Sequence, residues 1–308
     1  MAPLTDRISG MFRRSRGLRV LGLAGPGTFW LLVFFTIPLL FMLLISFVEK
    51  GRAGGVLTPL RFTPEAYELF LNACSTAFAG PSCDQWLYIG IFAKSAWYAL
   101  IVTGLCLVLG YPLAYFIARR GVRWRNILLL LVMIPFWTNF LVRTYALRQV
   151  LTTTSLLDIV FLQGWQAGPI SLNLHLGVLA GLFYGYLPFA VLPMYASIEK
   201  FDFSLMEAAS DLGANSRRAF VRVMLPMTLP GVIAAFVLVF VPVVGAFVTP
   251  DMMSGGKVEM IGTLVYRQFL GQSRNWPFGS AMSFIMMLLV LAGVVYYLRS
   301  GSKEERAL

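Results

Sequence analysis

Residues 204–226 have the sequence SLMEAASDLGANSRRAFVRVMLP, a polar segment enclosed by two long apolar runs. Ser204 and Glu207 have the spacing of a capping box, in which the serine accepts the amide of residue 207 and the glutamate reaches back. A short helix is therefore predicted to start at Ser204. Its apolar positions fall on one face: Leu205, Ala208, Ala209 and Leu212.

A turn and a second helix follow in the same segment. Gly213 supplies the permissive backbone that helix ends favour, and Asn215-Ser216 can cap a helix running to Val223-Met224. Pro226 lacks an amide donor and disfavours simple continuation of that helix. The segment thus predicts two short helices joined by a turn, held against one face of a membrane.

The membrane itself is indicated by the apolar runs on either side and beyond. Of the 308 residues, 58% are hydrophobic and only 13% are charged, and the mean hydropathy is +0.75, whereas soluble domains carry about a quarter charged residues. Six runs approach the roughly 20 residues that a spanning helix needs: 27–48, 95–118, 127–147, 174–197, 228–249 and 278–298. The predicted fold class is an all-α polytopic membrane protein with six transmembrane helices.

The net charge of +11 orients this protein. Sixteen of the 25 Lys and Arg residues fall in segments 1–26, 119–126, 198–227 and 299–308, which the six spans place on one side, while the 14 acids divide evenly. Under the positive-inside rule both termini are cytoplasmic. The excess of Lys and Arg therefore indicates the orientation of the chain in the membrane, and no nucleic-acid partner is predicted. The chain divides into a cytoplasmic segment 1–26, a transmembrane domain 27–298 with the cytoplasmic loop 199–226, and a cytoplasmic tail 299–308.

Enzymatic chemistry finds little support in the sequence. A single histidine, His175, cannot build a triad or a histidine metal cluster. The only Gly-Lys pair, Gly256-Lys257, lacks the rest of a nucleotide-binding loop. No catalytic residue, metal or cofactor is predicted in this chain. Cys74 and Cys83 share an outer loop and are either a short-loop disulfide or two free thiols.

The string Glu207-Ala208-Ala209, Gly213, Val223 and Leu225-Pro226 resembles the EAA loop of ATP-binding cassette (ABC) importer permeases, with Val223 in place of the usual isoleucine. The layout of one helix before a five-helix core is similar to the type I importer (MetI-like) fold. In that family the loop contacts an ATPase. The resemblance implies that coupling role for six residues: Glu207, Ala208, Ala209, Gly213, Leu225 and Pro226. Arg217, Arg218 and Arg222 either add contacts to the ATPase or only obey the positive-inside rule.

The same resemblance implies partners and a location. A permease of this kind pairs with a homologous second permease subunit, two copies of an ABC ATPase that bind ATP and Mg, and a periplasmic substrate-binding protein. It lies among the lipids of the bacterial inner membrane. A membrane-embedded enzyme and a receptor without transport are the alternatives, but acids, histidine and cysteine are sparse inside the spans.

The substrate is suggested by shorter motifs. Val248-Thr249-Pro250-Asp251, Met260-Ile261-Gly262 and Arg274-Asn275-Trp276-Pro277 resemble the spermidine/putrescine permease branch of PotB and PotH. Sister branches for ferric iron, phosphonate, opine or amino-acid-like solutes stay open. A polyamine route needs carboxylates and aromatic faces. The candidates are Trp137, Tyr145, Asp158, Tyr184, Tyr186, Asp251 and Glu259.

Overall fold

The computed structural model describes residues 25–51, 54–55, 61–71, 87–152, 170–271 and 274–304, with the backbone alone at 151–152, 170–173 and 296–304. Within these residues the regular elements are helices, and an isolated antiparallel bridge joins Val48 to Phe62. In chain order the helices are α1 (Gly25–Ser46), α2 (Glu65–Leu71), α3 (Leu87–Ala118), α4 (Val122–Trp137), α5 (Phe140–Thr152), α6 (Ile170–Glu199), α7 (Ser204–Asp211), α8 (Ser216–Val244), α9 (Val248–Ser254), α10 (Ile261–Leu270) and α11 (Trp276–Glu304).

Six membrane spans are consistent with these helices. In the described residues, α1, α3, α6, α8 and α11 are each long and apolar enough to cross a membrane, and α4 with α5 forms a sixth candidate that is bent by 93°. This agrees with the predicted all-α polytopic architecture. The predicted span limits hold best for the first run, whereas α3 begins at Leu87 rather than at residue 95.

The core lies where α3, α6 and α8 pack against one another. Their close approach depends on positions without a side chain. A Cβ at Gly110 of α3 would lie 2.9 Å from Met194 Cε of α6, and one at Gly231 of α8 would lie 2.8 Å from the Pro193 carbonyl oxygen of α6. A methyl group therefore does not fit at residue 231, where the neighbour is backbone, whereas at residue 110 it would require the flexible end of Met194 to move.

The remaining helices surround this core. α1 and α10 pack on α11, and α9 packs on α5 and α6. α4 touches α3 and reaches α6 through the Phe136–Phe189 ring pair and the Arg125–Glu199 salt bridge. No residue of α4 is buried within the described chain. Since α4 is apolar, its exposed surface faces lipid or another membrane chain.

The third span was predicted as one unbroken helix over 127–147, and this prediction is wrong, because two helices with a sharp bend occupy the region. The helix breaks at Thr138, whose backbone is extended and whose hydroxyl donates to the Pro135 carbonyl at 2.7 Å. Asn139 restarts it, because its side-chain oxygen accepts the Leu141 amide at 2.9 Å. Arg143 donates to the Pro135 carbonyl and lies over the rings of Phe136 and Phe140 at the bend.

Candidate functional site

The loop singled out by sequence contains the helix α7, but its start differs from the prediction. The amide of Ser204 donates to the Asp202 carboxylate at 3.0 Å, and neither Ser204 nor the preceding Phe203 makes a side-chain cap. The predicted capping box of Ser204 and Glu207 is therefore wrong, and Asp202 performs the capping. Hydrogen bonds from the Ser204 amide and hydroxyl lower the pKa of Asp202. The cap is thus present at neutral pH and is lost only as the pH falls through that lowered pKa.

The turn after α7 follows the sequence prediction closely. Gly213 has φ +85°, a left-handed conformation that favours glycine. Its amide donates to the Ser210 carbonyl at 2.9 Å, and the Ala214 amide donates to the Ala209 carbonyl at 3.0 Å. This pair of bonds is a Schellman motif. The next helix starts at Asn215, whose side-chain oxygen accepts the Arg218 amide at 2.9 Å, as predicted.

The exposed side of α7 and its turn carries the residues that resemble the EAA loop. Met206 packs towards the core, whereas Glu207 and Ala208 are exposed and Ala209 is half-buried. Leu212 is 90% exposed at the tip of the turn. A large apolar side chain held so far into solvent, outside the membrane-spanning helices, marks a surface suited to contact with another protein. The arginines at 217, 218 and 222 are exposed on the following turns.

The second half of the loop is not a separate short helix. A π turn over Phe220–Met224 leads directly into the remainder of α8, with the Leu225 amide bonded to the Phe220 carbonyl. Pro226 was expected to interrupt the helix. It sits instead in the first turn after the π turn, where its missing amide is tolerated. The loop and the fifth span are therefore one continuous helix from Ser216 to Val244.

Two of the predicted substrate carboxylates lie together at the other end of α8. Glu259 accepts a hydrogen bond from Arg267 at 2.9 Å, and Asp251 lies 3.6 Å from the same guanidinium. Arg267 also donates to the Gly256 carbonyl at 3.0 Å. A Cβ at residue 256 would lie 2.9 Å from this guanidinium, so glycine leaves room for it. Arg267 was not predicted from the sequence, because its contacts with Asp251 and Glu259 depend on how the helices α9 and α10 pack.

The predicted aromatic residues do not form one cluster. Trp137, at the end of α4, is 73% exposed, and Tyr145 on α5 is 58% exposed. On α6, Tyr184 is exposed, while Tyr186 is half-buried and its ring lies 6.0 Å from that of Phe189. Asp158, Cys74 and Cys83 lie outside the described residues, so the predictions made for them stay predictions.

A comparison with known families decides the identity of this arrangement. The family described as "Binding-protein-dependent transport system inner membrane component" matches residues 110–300, which include the end of α3, the core helices α6 and α8, and the loop between them. The chain belongs to this family. Its members are inner-membrane permeases of ABC transporters, and this permease is accordingly a multi-pass inner-membrane protein.

Curated relatives extend the match over most of this permease. The spermidine/putrescine transport system permease protein PotB of Haemophilus influenzae is 38% identical over 87% of this chain and 89% of its own length. PotB of Escherichia coli K12 is 38% identical over 88% of this chain and 94% of its own length. The inner membrane ABC transporter permease protein YdcU of E. coli K12 is 28% identical, covering 97% of this chain and 95% of its own.

Solved structures agree on the fold. A chain of a bacterial ABC transporter involved in the import of the acidic polysaccharide alginate superposes with a TM-score of 0.59 at 15% identity, covering 96% of this permease and 99% of that chain. A second alginate transporter structure, in complex with an alginate pentasaccharide-bound periplasmic protein, gives a TM-score of 0.60 at 16% identity. The match covers 94% of this permease and 96% of that chain. At these identities the likeness concerns the fold alone.

Proposed function

We propose that this permease is the membrane subunit of an ATP-driven importer that moves polyamines, spermidine or putrescine, handed over by an extracytoplasmic binding protein. The observation that carries the proposal is the 38% identity to PotB over most of both chains. The same role for a solute of a sister branch, such as ferric iron, a phosphonate, an opine or an amino-acid-like molecule, is the alternative.

Coupling to an ATPase is assigned to the exposed side of α7 and its turn. Glu207, Ala208, Ala209 and Gly213 form the contact, and Leu225 and Pro226 end the motif. Support comes from the outward position of Glu207 and Leu212 and from the Schellman motif, which fixes the turn without help from the core. ATP and Mg are bound by that partner and not by this chain.

The proposed assembly contains a homologous second permease, two ATPase subunits and a periplasmic binding protein, with both termini of this chain in the cytoplasm. The unpartnered apolar surface of α4 is consistent with a second membrane chain or with lipid. We call the loop 199–226 the coupling loop. Under the positive-inside rule this loop and both termini lie on the cytoplasmic side, which is where an ATPase would be found.

The substrate route is assigned to the outer ends of the spans. Asp251 and Glu259 both lie against the guanidinium of Arg267. An ammonium group of a polyamine would compete with Arg267 for these oxygens. Trp137, Tyr145, Tyr184 and Tyr186 present aromatic faces that can hold methylene and ammonium groups, and Asp158 completes the proposed set.

Uptake of labelled spermidine and putrescine tests the proposal. The permease and its neighbouring transporter genes are expressed in cells without their own polyamine importers, with ferric, phosphonate and amino-acid competitors. We expect ATP-dependent uptake that unlabelled polyamines block. Uptake of a different solute would keep the permease role and reject polyamines; absence of uptake for every solute would reject transport.

Two variants of α7 test the coupling role in the same cells. Glu207→Gln is expected to insert normally and to lower uptake at least tenfold, roughly the loss of one charge-assisted contact. Asp211→Asn removes a charge from the same exposed helix and is expected to have a smaller effect. Full uptake by an inserted Glu207→Gln protein would contradict the assignment.

A further inference from the structure

Thr228 connects all three core helices at a single point. It is 1% exposed on α8, and its hydroxyl lies 2.7 Å from the hydroxyl of Tyr111 on α3. The hydroxyl of Ser197 on α6 donates to the Thr228 carbonyl at 3.3 Å. The Thr228 hydroxyl can also donate to the Met224 carbonyl, 2.9 Å away. Either hydroxyl can be the donor in the bond between Tyr111 and Thr228.

This junction lies beside the π turn that joins the coupling loop to the span. Met224, whose carbonyl Thr228 binds, is the last residue of the π turn, and Phe220 is the first. The ring of Tyr111 packs edge-on against the Phe220 ring, with centroids 5.5 Å apart and planes at 87°. Tyr111 therefore contacts the π turn with its ring and the helix beyond it with its hydroxyl. π turns occur frequently at functional sites.

Neither hydroxyl is needed to fill the core. Phenylalanine has nearly the shape of tyrosine, and valine nearly that of threonine, so an apolar pair would occupy the same volume without burying polar groups that then require partners. What the hydroxyls add is direction, because a hydrogen bond fixes the lateral position of α8 against α3, whereas apolar contact lets the helices slide.

From this geometry we propose that Tyr111 and Thr228 are positioning residues for transport. Their hydrogen bond holds the π turn against α3, so that displacement of the coupling loop moves α3 and α6 together with α8. The proposal rests on the proposed coupling function, and it assigns the transmission of movement to two residues that contact neither ATP nor solute.

The test measures solute moved per ATP hydrolysed. The complete transporter, with its ATPase, second permease and binding protein, is placed in proteoliposomes with the solute that the wild type carries. Tyr111→Phe and Thr228→Val are expected to lower this ratio at least about fivefold, the lower end of ordinary coupling between sites. ATPase activity per assembled complex should stay within about twofold, because the ATPase contact itself is intact. Thr228→Ser retains the hydroxyl and is expected to restore the ratio.

Thr103→Val is the matched control. Thr103 lies on α3, is fully buried, and its hydroxyl has no hydrogen-bond partner in the described part of the chain. The control makes the same chemical change as Thr228→Val without breaking a bond, so we expect the wild-type ratio. A loss as large as that of Thr228→Val would show a general response to core substitution and would overturn the proposal.

A double variant separates a shared bond from two independent defects. Tyr111→Phe with Thr228→Val removes one hydrogen bond, so its ratio should equal that of the worse single variant. Multiplied losses, or a wild-type ratio in either single variant, would overturn the inference. These outcomes all presuppose a wild type that transports; a wild type with no ATP-dependent uptake would reject the proposed function instead.

Discussion

Gly213 carries the turn of the coupling loop through its backbone alone. Its φ is +85°, and a Cβ there would meet no atom within 4 Å, so space does not limit this position. Any cost of a side chain is therefore conformational. This separates Gly213 from Gly231, where the backbone of α6 excludes a methyl group.

Gly213→Ala is expected to destabilise the turn by about 1–2 kcal/mol, the cost of a left-handed residue with a Cβ. Hydrogen exchange at the amides of residues 213 and 214 measures this, and the rate should rise about 5- to 30-fold. Gly213→Asn should cost less, because asparagine tolerates this conformation.

Gly104→Ala is the control for this change. Gly104 lies in α3 without a positive φ and with nothing within 4 Å of a Cβ, so alanine there should leave exchange in the loop unchanged. Equal exchange in the Gly213→Ala protein and the wild type would show that the Schellman motif does not depend on glycine.

At the scale of single elements, the π turn sets the rotation of the coupling loop about the axis of α8. Deleting Val221 from the π turn is expected to restore ordinary α-helical pairing and to rotate the preceding residues by about 100°. Exposed positions such as Arg217 and Arg218 would then face a new direction. We expect an inserted permease whose uptake is at background, measured in the cellular assay. Val221→Ala keeps the residue count and should transport normally; a deletion variant that still transports would show that this rotation is unimportant.

The positions of the helices and turns could be predicted from the sequence where they depend on neighbouring residues. Hydropathy located the spans, and local chemistry located the turn at Gly213 and the cap at Asn215, because each depends on a few adjacent residues. Pro135 and Pro226 show the limit. The helix α4 breaks at Thr138, three residues after Pro135, and Asn139 caps the helix that follows. The helix α8 continues through Pro226, because this proline lies in the first turn after the π turn, where its missing amide is tolerated.

The candidate site was predictable only where its residues are neighbours in the chain. Residues of the loop follow one another in the chain, so their spacing identified them. Thr228 and Tyr111 are separated by 117 residues, and the pairing of Arg267 with Asp251 and Glu259 depends on how α9 and α10 lie. Such contacts arise from tertiary packing and leave no local pattern.

For the whole molecule, the distribution of Lys and Arg predicts the orientation in the membrane. Green fluorescent protein fused to the C-terminus should fluoresce, and alkaline phosphatase fused there should be inactive. A phosphatase fusion truncated after Gly256, between α9 and α10, should be active. The opposite pattern would place the loop 199–226 outside the cytoplasm and would contradict the proposed contact with a cytoplasmic ATPase.

The continuity of α8 gives the molecule a mechanical property. Its 29 residues form a rod about 40 Å long, and Thr228 divides it into arms of about 18 and 24 Å. A tilt of about 10° of α8, with α3 and α6 moving together with it, about the level of Thr228 moves the loop end by about 3 Å and the opposite end by about 4 Å. That opposite end leads into α9 and Asp251. A small displacement of the loop end of α8 would therefore produce a slightly larger displacement of the opposite end, next to the carboxylates on the far side of the membrane.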